Sequence, residues 1–219
     1  MTLSSVLPIL RGALLASVSV MTSLAGTIVL DFSANDGGFT ASSNVANGWT
    51  YGSGAWTLAG ANSQDAKLTS PTFQSSGGEV VLQFVHTRNM EAVFDGGAVE
   101  LSVNGSAFSY VPNSSFSQNG YNGAIVTTNA AFPSGTLLFN GNLPDPLTSI
   151  VSLGIIADTD SYAFRFRAGS DPSVTSSSTN AWRIGVQQGG SDVPEPSTAA
   201  LLALGGLGLA AYRVRRRRA

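Results

Sequence analysis

The sequence contains no cysteine and a single histidine, His86, and these two scarcities exclude several kinds of site. Without cysteine there is no disulfide framework, no thiolate nucleophile and no cysteine-ligated zinc, so stability must come from a buried core or a bound metal. A single histidine cannot form a metal-binding histidine triad. Because His86 alternates with Leu82 and Phe84 in an apolar stretch, we expect a structural, hydrogen-bonded imidazole rather than a general base.

Charged residues are also scarce, at 11% of the sequence, and they are unevenly distributed. Residues 26–192 contain five basic residues against twelve acidic ones, a balance of −7, whereas five of the eleven basic residues of the chain follow residue 212. Nucleic-acid binding requires a basic surface. The acidic balance of residues 26–192 therefore argues against nucleic acid as a partner.

Catalytic motifs are missing as well. The sequence has no Gly-x-Ser-x-Gly, Walker or His-Glu-x-x-His segment, so we expect a protein without enzymatic activity. A glycosidase would need two carboxylates, and the candidates closest in sequence are Glu91, Asp95 and Glu100, or Asp158 and Asp160. Turns and solvated strand faces explain these residues, which leaves a secreted hydrolase as the weaker alternative.

Acidic residues could instead hold a structural Ca²⁺, which prefers oxygen ligands. No EF-hand loop is present, and no cofactor is certain. A bound ion would stabilise an exported domain that has no disulfides. The four candidate ligands are Asp31, Glu91, Asp95 and Asp171.

Residues 1–25 have the organisation of a secretory signal peptide. Arg11 ends a weakly positive region, Gly12–Val20 is apolar, and Ser23-Leu24-Ala25 places small residues at positions −3 and −1 before Gly26. This pattern predicts a signal helix and cleavage before Gly26. A retained N-terminal anchor is the alternative, but the apolar run is short for one.

Residues 26–190 have the pattern of a single all-β domain. Gly, Ser, Thr and Asn are abundant, and short apolar or alternating runs are separated by turn signals such as Asp95-Gly96-Gly97. No stretch has convincing helical periodicity, so we predict an antiparallel β-sandwich. The predicted strands cover residues 28–32, 68–73, 80–86, 98–104, 150–156, 161–167 and 182–186.

The glycine-containing segment 39–61 contains Trp49, Tyr51 and Trp56. Rings with an apolar face and a polar edge can stack on sugars, so exposed aromatics here would make a carbohydrate-binding module. The alternative is that the three rings pack in the core or close one end of the sandwich, and large aromatics favour burial.

The last residues of the chain form three parts in strict order. The linker 191–197 contains Val193, Pro194, Glu195 and Pro196, and its prolines favour an extended backbone. Residues 198–212 are apolar and uncharged, which predicts a transmembrane helix; at ~1.5 Å per residue its length is about 22 Å, short for a permanent span. Positive flanks resist translocation, so residues 213–219 are predicted to stay cytoplasmic. They contain Arg213, Arg215, Arg216, Arg217 and Arg218.

This tripartite tail resembles the PEP-CTERM sorting signal of Gram-negative bacteria. Pro194-Glu195-Pro196 corresponds to the family's Pro-Glu-Pro, residues 198–212 to its Gly-rich hydrophobic segment, and Arg213–Arg218 to its arginine cluster. The resemblance implies recognition by an exosortase, a membrane transpeptidase-like enzyme, and delivery to the envelope or the exopolysaccharide matrix. An ordinary C-terminal membrane anchor is the alternative.

The body also resembles the jelly-roll domains of secreted bacterial proteins, of the MAM-like or immune-inhibitor-A type. The resemblance implies an accessory module for adhesion or substrate contact rather than an enzyme. The chain departs from the pattern at Ala181, where Gly is usual, and at Gly185, where Asp is expected, which puts a metal role for that last position in doubt. The matching landmarks are Tyr51-Gly52, Leu68-Thr69-Ser70-Pro71, Phe84-Val85-His86, Glu91, Asp95-Gly96-Gly97, Glu100-Leu101-Ser102, Arg165-Phe166-Arg167, Asp171 and Trp182-Arg183-Ile184.

Together these features predict an exported protein with an inner-membrane-anchored precursor, destined for the cell envelope or the extracellular matrix. The predicted role is structural or adhesive, in a biofilm or exopolysaccharide, with an exosortase as the processing partner. The sequence names no glycan, ligand or oligomeric state.

Overall fold

The computed structural model describes residues 26–173 and 181–185. The predicted signal peptide, the linker with its Pro-Glu-Pro motif, the predicted transmembrane helix and the arginine cluster lie outside the described residues. Within the described ranges, no helix is long and apolar enough to cross a membrane.

The described chain consists of β-strands joined by turns, with a 3₁₀ helix at Asn113–Ser115. The strands are β1 (Thr27–Val29), β2 (Thr40–Ser43), β3 (Trp49–Gly52), β4 (Ala55–Leu58), β5 (Asp65–Thr69), β6 (Phe73–Gln74), β7 (Gly78–Asn89), β8 (Gly96–Val103), β9 (Ser109–Tyr110), β10 (Phe116–Gln118), β11 (Gly123–Ala124), β12 (Leu137–Leu138), β13 (Asn142–Ile156), β14 (Ser161–Gly169) and β15 (Trp182–Ile184).

Most of these strands belong to two sheets. The larger sheet has seven strands in the order β10-β13-β7-β15-β4-β3, with β1 also paired to β7. The smaller has six strands in the order β2-β5-β14-β8-β9, with β6 also paired to β14. Strands β11 and β12 pair separately. The described residues thus confirm the predicted all-β, sandwich-like architecture.

The inner faces of the two sheets pack together through residues that alternate along the strands. In β7, Val80, Leu82, Phe84 and His86 share one face and are buried, whereas Val81, Gln83 and Val85 on the other face are half-buried. The phenyl rings of Phe84 in β7 and Phe166 in β14 have centroids 4.9 Å apart, so these side chains join one sheet to the other. Burial of such apolar surface is the dominant favourable contribution to folding.

Trp182 lies at the centre of this core and is fully buried. Its ring centroid lies 5.6 Å from that of Trp49, 5.7 Å from Phe166 and 5.9 Å from Phe139. These separations fall in the favourable range for aromatic pairs. Strand β15, although only three residues long, therefore connects both sheets through one side chain.

His86 has the structural role predicted from its position. The indole N–H of Trp182 donates to His86 Nδ1 at 3.2 Å, so the proton of the neutral ring resides on Nε2 and is donated to Ser149 Oγ at 3.0 Å. The Ser149 hydroxyl in turn donates to the carbonyl oxygen of Asn119 at 2.6 Å. Burial, helped by the charge of Arg88, lowers the pKa of His86 to about 3.

The fold differs from the sequence prediction in the segment 39–61, which contains no predicted strand but forms three, β2, β3 and β4. The predicted strand 68–73 is divided into β5 and β6, because Pro71 has no N–H to donate to the sheet. Strand β1 pairs with β7 in parallel, not antiparallel, orientation. A parallel pair needs a long crossover connection, and the intervening strands β2–β6 provide it.

The close approach of Trp182 to the backbone of Gly97 yields a stability prediction. A Cβ atom at Gly97 would overlap the indole ring, whereas nothing lies within 4 Å of a Cβ at Gly52. We expect Gly97→Ala to lower the free energy of unfolding by about 1–3 kcal/mol through overpacking. Gly52→Ala, the matched control, should change it by less than about 0.5 kcal/mol. Equilibrium urea denaturation measures both, and equal effects of the two substitutions would contradict the proposed packing.

Candidate metal centre

Three carboxylates meet at one end of the six-stranded sheet. Asp95 immediately precedes β8, and Asp171 follows the end of β14 by two residues. The antiparallel register pairs Gly96 with Gly169, so the residues just before β8 and just after β14 become neighbours. Glu91 comes from the turn before β8, where the backbone N–H of Asp95 donates to the Glu91 carbonyl oxygen at 3.1 Å.

The three side chains each offer one oxygen, and these oxygens lie within 4.8 Å of one another. Asp95 and Asp171 are buried, and Glu91 is half-buried with its Oε2 atom buried and without a hydrogen-bond partner. None of the ion pairs among the described residues includes any of the three. A buried carboxylate without a partner is costly, so the arrangement favours a bound cation.

Hydrogen bonds orient two of the carboxylates. Asp95 Oδ1 accepts from the backbone N–H of Asp171 at 3.2 Å. Asp171 accepts from the backbone N–H of Ser173 at 3.0 Å and from the Ser173 hydroxyl at 2.9 Å. The hydrogen bonds from Asp171 and Ser173, just after β14, therefore fix the orientation of the Asp95 and Asp171 carboxylates.

The electrostatics of the cluster raise the pKa of Asp95 to about 6. Burial is the largest cause, and repulsion from Asp171 and Glu91 adds to it, while the hydrogen bond from the Asp171 N–H acts in the opposite direction. A divalent cation would reverse this effect, because a nearby positive charge favours the ionised carboxylate. Three carboxylates within ligand distance suit the oxygen preference of Ca²⁺.

The fourth predicted ligand, Asp31, is not part of the cluster. It is exposed, and its Oδ1 accepts from the backbone N–H of Ser33 at 2.9 Å, as in an Asx turn. The structure thus brings together three of the four predicted residues. The sequence could not separate Asp31 from the others, because an Asp in a turn and an Asp in a metal site have the same local sequence pattern.

Two of the three aromatic residues proposed for sugar stacking pack inside the protein. Trp49 and Trp56 are buried, and only Tyr51 is partly accessible, at 38%. The Trp56 N–H donates to the carbonyl oxygen of Asp36 at 3.0 Å, and the Tyr51 hydroxyl donates to that of Phe32 at 2.7 Å. The prediction that these aromatics are exposed for sugar binding is therefore wrong for both tryptophans. The alternative, that the rings pack in the core, describes them.

The carboxylates considered for a hydrolase lie in different environments. Glu100 is buried and forms ion pairs with Arg165 and Arg167. Sequence patterns did not identify this network. Asp160 accepts from the side-chain amide of Asn104 at 2.8 Å in the turn between β13 and β14. The network on the outer face of β8 and β14 could have been suspected only from the alternation of Arg165 and Arg167 with Phe164 and Phe166.

Comparison with known protein families identifies a sorting motif in the tail that follows the all-β domain. Residues 192–218 match the PEP-CTERM protein-sorting motif. The chain therefore carries the signal of an exported protein that is sorted by an exosortase and has a membrane-anchored precursor. A comparison with curated proteins finds no match to this chain.

Two solved structures show a distant similarity in fold. A cleaved adhesin domain of Lys-gingipain from Porphyromonas gingivalis aligns with 17% identity and a TM-score of 0.36, over 67% of this chain and 86% of that domain. An exo-β-1,3-galactanase from Phanerochaete chrysosporium, solved with galactose, aligns with 19% identity and a TM-score of 0.30, over 71% of this chain and 28% of the galactanase. The chain thus spans less than a third of the galactanase.

The raised pKa of Asp95 predicts how stability depends on pH in the presence of a chelator. Because the folded-state pKa is about 6 and the ordinary pKa of an Asp side chain is 3.8, the native state holds the proton more tightly than the unfolded chain between these values. Stability should therefore fall as the pH rises through 6. Asp95→Asn, which keeps the acceptor for the Asp171 N–H, should be more stable than wild type at pH 7 but not at pH 3.5.

Thermal unfolding of the full chain in EDTA measures this difference. The exposed Asp145→Asn is the control and should follow the wild-type profile. A wild-type profile that matches Asp95→Asn across this pH range would contradict the proposed electrostatics of the cluster.

Proposed function

We propose that this chain is an exported, non-enzymatic structural or adhesive protein of a Gram-negative bacterium, placed in the cell envelope or in an exopolysaccharide matrix. The observation that carries the proposal is the PEP-CTERM motif at residues 192–218, directly after an all-β domain. In this arrangement the β-sheet domain is the part that is exported, called here the cargo domain, and the tail is the sorting signal that directs its export.

The tail would act in three steps that follow its order in the sequence. The apolar residues 198–212 hold the precursor in the membrane, and the arginine cluster stops complete export because positive flanks stay cytoplasmic. The Pro-Glu-Pro motif then presents an extended segment to the exosortase, since its prolines disfavour helix. Cleavage would release the domain or transfer it to the matrix.

We infer a jelly-roll arrangement of the cargo domain from the positions of its sequence landmarks. Strand β8, with Asp95-Gly96-Gly97 at its start, pairs with β14, which contains Arg165-Phe166-Arg167. Strand β7, which contains Phe84-Val85-His86, pairs with β15, which contains Trp182-Arg183-Ile184. Landmarks that are distant in sequence are therefore neighbours in space, which supports the resemblance to accessory modules of secreted proteins.

The cargo domain would be stabilised outside the cell by Ca²⁺ at Glu91, Asp95 and Asp171. The proximity of the three carboxylates and the buried, unpartnered Oε2 of Glu91 support this role. The ion would connect the turn before β8 to the end of β14, and so replace the cross-link that a cysteine-free domain lacks.

The first test of the proposed function is the C-terminus of the mature protein. Mass spectrometry of protein recovered from the medium and the envelope of the native host should show that the residues after the Val193–Pro196 region have been removed. Replacement of Pro194 and Pro196 by Ala should leave the tail intact on the envelope fraction. An intact arginine-rich end on the wild-type protein would contradict sorting and indicate a simple membrane anchor.

The proposed calcium site predicts a stabilisation by Ca²⁺ that depends on Asp171 and not on Asp31. Calcium at 100 times its dissociation constant should stabilise the full chain by about 2.7 kcal/mol, and Mg²⁺ should do so less because it demands a tighter octahedral site. Asp171→Asn should abolish the effect. Asp31→Asn removes a carboxylate outside the cluster and should respond to calcium as the wild type does; a calcium response unchanged by Asp171→Asn would overturn the assignment.

A further inference from the structure

The outer face of the six-stranded sheet contains a groove with a volume of ≈ 590 Å³, within the range of about 300–1,000 Å³ that is common for ligand sites. Glu100 of β8 and Arg167 of β14 line it. Tyr110 and Pro112 from the β9 region lie on one side, and the loop from Ala131 to Leu137 lies on the other. The groove is distinct from the carboxylate cluster, none of whose residues line it.

The charged residues beside the groove form a continuous ladder of ion pairs across three strands. Arg167 makes a bidentate contact with Asp65, at 2.8 Å through Nε and 3.0 Å through an Nη nitrogen. Its other Nη nitrogen lies 3.4 Å from Glu100, which also accepts from Arg165. Lys67 lies 2.9 Å from Asp65. The three cations and two carboxylates leave the ladder with a net charge of +1, whereas Glu100 and Arg167, the two charged residues that line the groove, balance each other.

The ladder is held rigidly by its surroundings. The guanidinium of Arg165 lies 4.2 Å from the ring centroid of Phe108, and that of Arg167 lies 5.3 Å from Phe132. The side chains of Glu100 and Arg167 are only 5% and 22% exposed. Polar groups that are fixed before binding lose little conformational entropy when a ligand arrives.

The sides of the groove are mostly apolar and are also fixed. The Tyr110 hydroxyl donates to the Leu137 carbonyl oxygen at 2.7 Å, which connects the two sides. Asn113 accepts from the backbone N–H of Tyr121 at 2.7 Å, so its side chain is anchored at the edge. Leu137 is 41% exposed and so offers apolar surface at the edge of the groove.

We propose that this groove binds a neutral, hydroxyl-rich saccharide chain. A hydroxyl group both donates and accepts, so neighbouring sugar hydroxyls can bond to a carboxylate and a guanidinium of the same ion pair. The C–H faces of a sugar ring would pack on Tyr110, Leu137 and the two prolines Pro112 and Pro133. An anionic ligand fits less well, because the guanidinium groups are already paired and Glu100 would repel it.

This inference rests on the proposed adhesive function and deepens it, since it assigns the class of polymer that the exported domain would contact. Neither of the tryptophans first considered for sugar binding takes part. The residues that do, Glu100 and Arg167, belong to strands whose register brings them together only in the folded domain.

The test uses the purified full chain in a polyoxyethylene detergent, because detergents with sugar head groups would compete. The probes are cellohexaose, xylohexaose and laminarihexaose, with oligogalacturonate of the same length as the anionic comparison. We expect at least one neutral probe to bind by calorimetry and to slow hydrogen–deuterium exchange in the peptides that cover Ser109–Asn113 and Ala131–Leu137. This protection locates the site on the wild-type protein without any substitution.

Two pairs of variants then test the chemistry. Glu100→Gln should weaken binding about tenfold, whereas Glu79→Gln, on the seven-stranded sheet and hydrogen-bonded to Ser152, should not. Leu137→Ala should weaken binding, whereas Val126→Ala, which is 59% exposed and outside the groove, should not.

No binding of any neutral probe, protection elsewhere in the protein, or tighter binding of oligogalacturonate would each overturn the proposal. These outcomes are independent of the mature C-terminus, so a failure of saccharide binding and a failure of sorting can be told apart.

Discussion

The antiparallel pairing of β8 with β14 is the interaction on which the rest of the structure depends. One register, from Tyr162 opposite Val103 to Gly169 opposite Gly96, determines three separate features. It directs Phe164, Phe166 and Val99 into the core, it leaves Glu100 and the two arginines on the outer face, and it brings Asp95 beside Asp171. A shift by one residue would exchange the two faces, and the core, the ion-pair ladder and the carboxylate cluster would all be lost.

The domain places its few charges in two opposite arrangements, one in which carboxylates are paired with cations and one in which they are not. On the outer face, cations and carboxylates pair with one another. Burial acts to raise the pKa of Asp65, but the hydrogen bonds and charges of Arg167 and Lys67 together outweigh it and hold that pKa below its usual value. In the loop cluster no cation balances the carboxylates among the described residues, and the pKa of Asp95 rises instead. The first arrangement supplies its own counter-ions, whereas the second places three acidic side chains within 4.8 Å of one another.

Several features could be read directly from the residues. The inward faces of β7 and β14 follow from alternation, because side chains in a strand point to opposite sides with a period of two, and the tail is recognisable because its three parts are contiguous. The segment 39–61 was not recognised as strands, since its short, polar β2 and glycine-containing β3 have no strong alternation. Trp49 packs against Trp182, and Trp56 is paired with Ile184, so the environment of both tryptophans involves β15, more than a hundred positions later in the sequence. No local pattern reaches that far.

By itself, the sequence determined the all-β class, the acidic and cysteine-free character of the body, and the sorting motif, because composition, periodicity and contiguous order are local properties of the chain. Only the tertiary structure decided which carboxylates gather. Asp31, Glu91, Asp95 and Asp171 have similar local settings, yet the end of β14 meets the start of β8 at Asp95 and leaves Asp31 in a separate turn. The same is true of the groove, since Glu100 and Arg167 become neighbours through strand register. Such proximity is a property of the packed sheets, and no local stretch of sequence contains it.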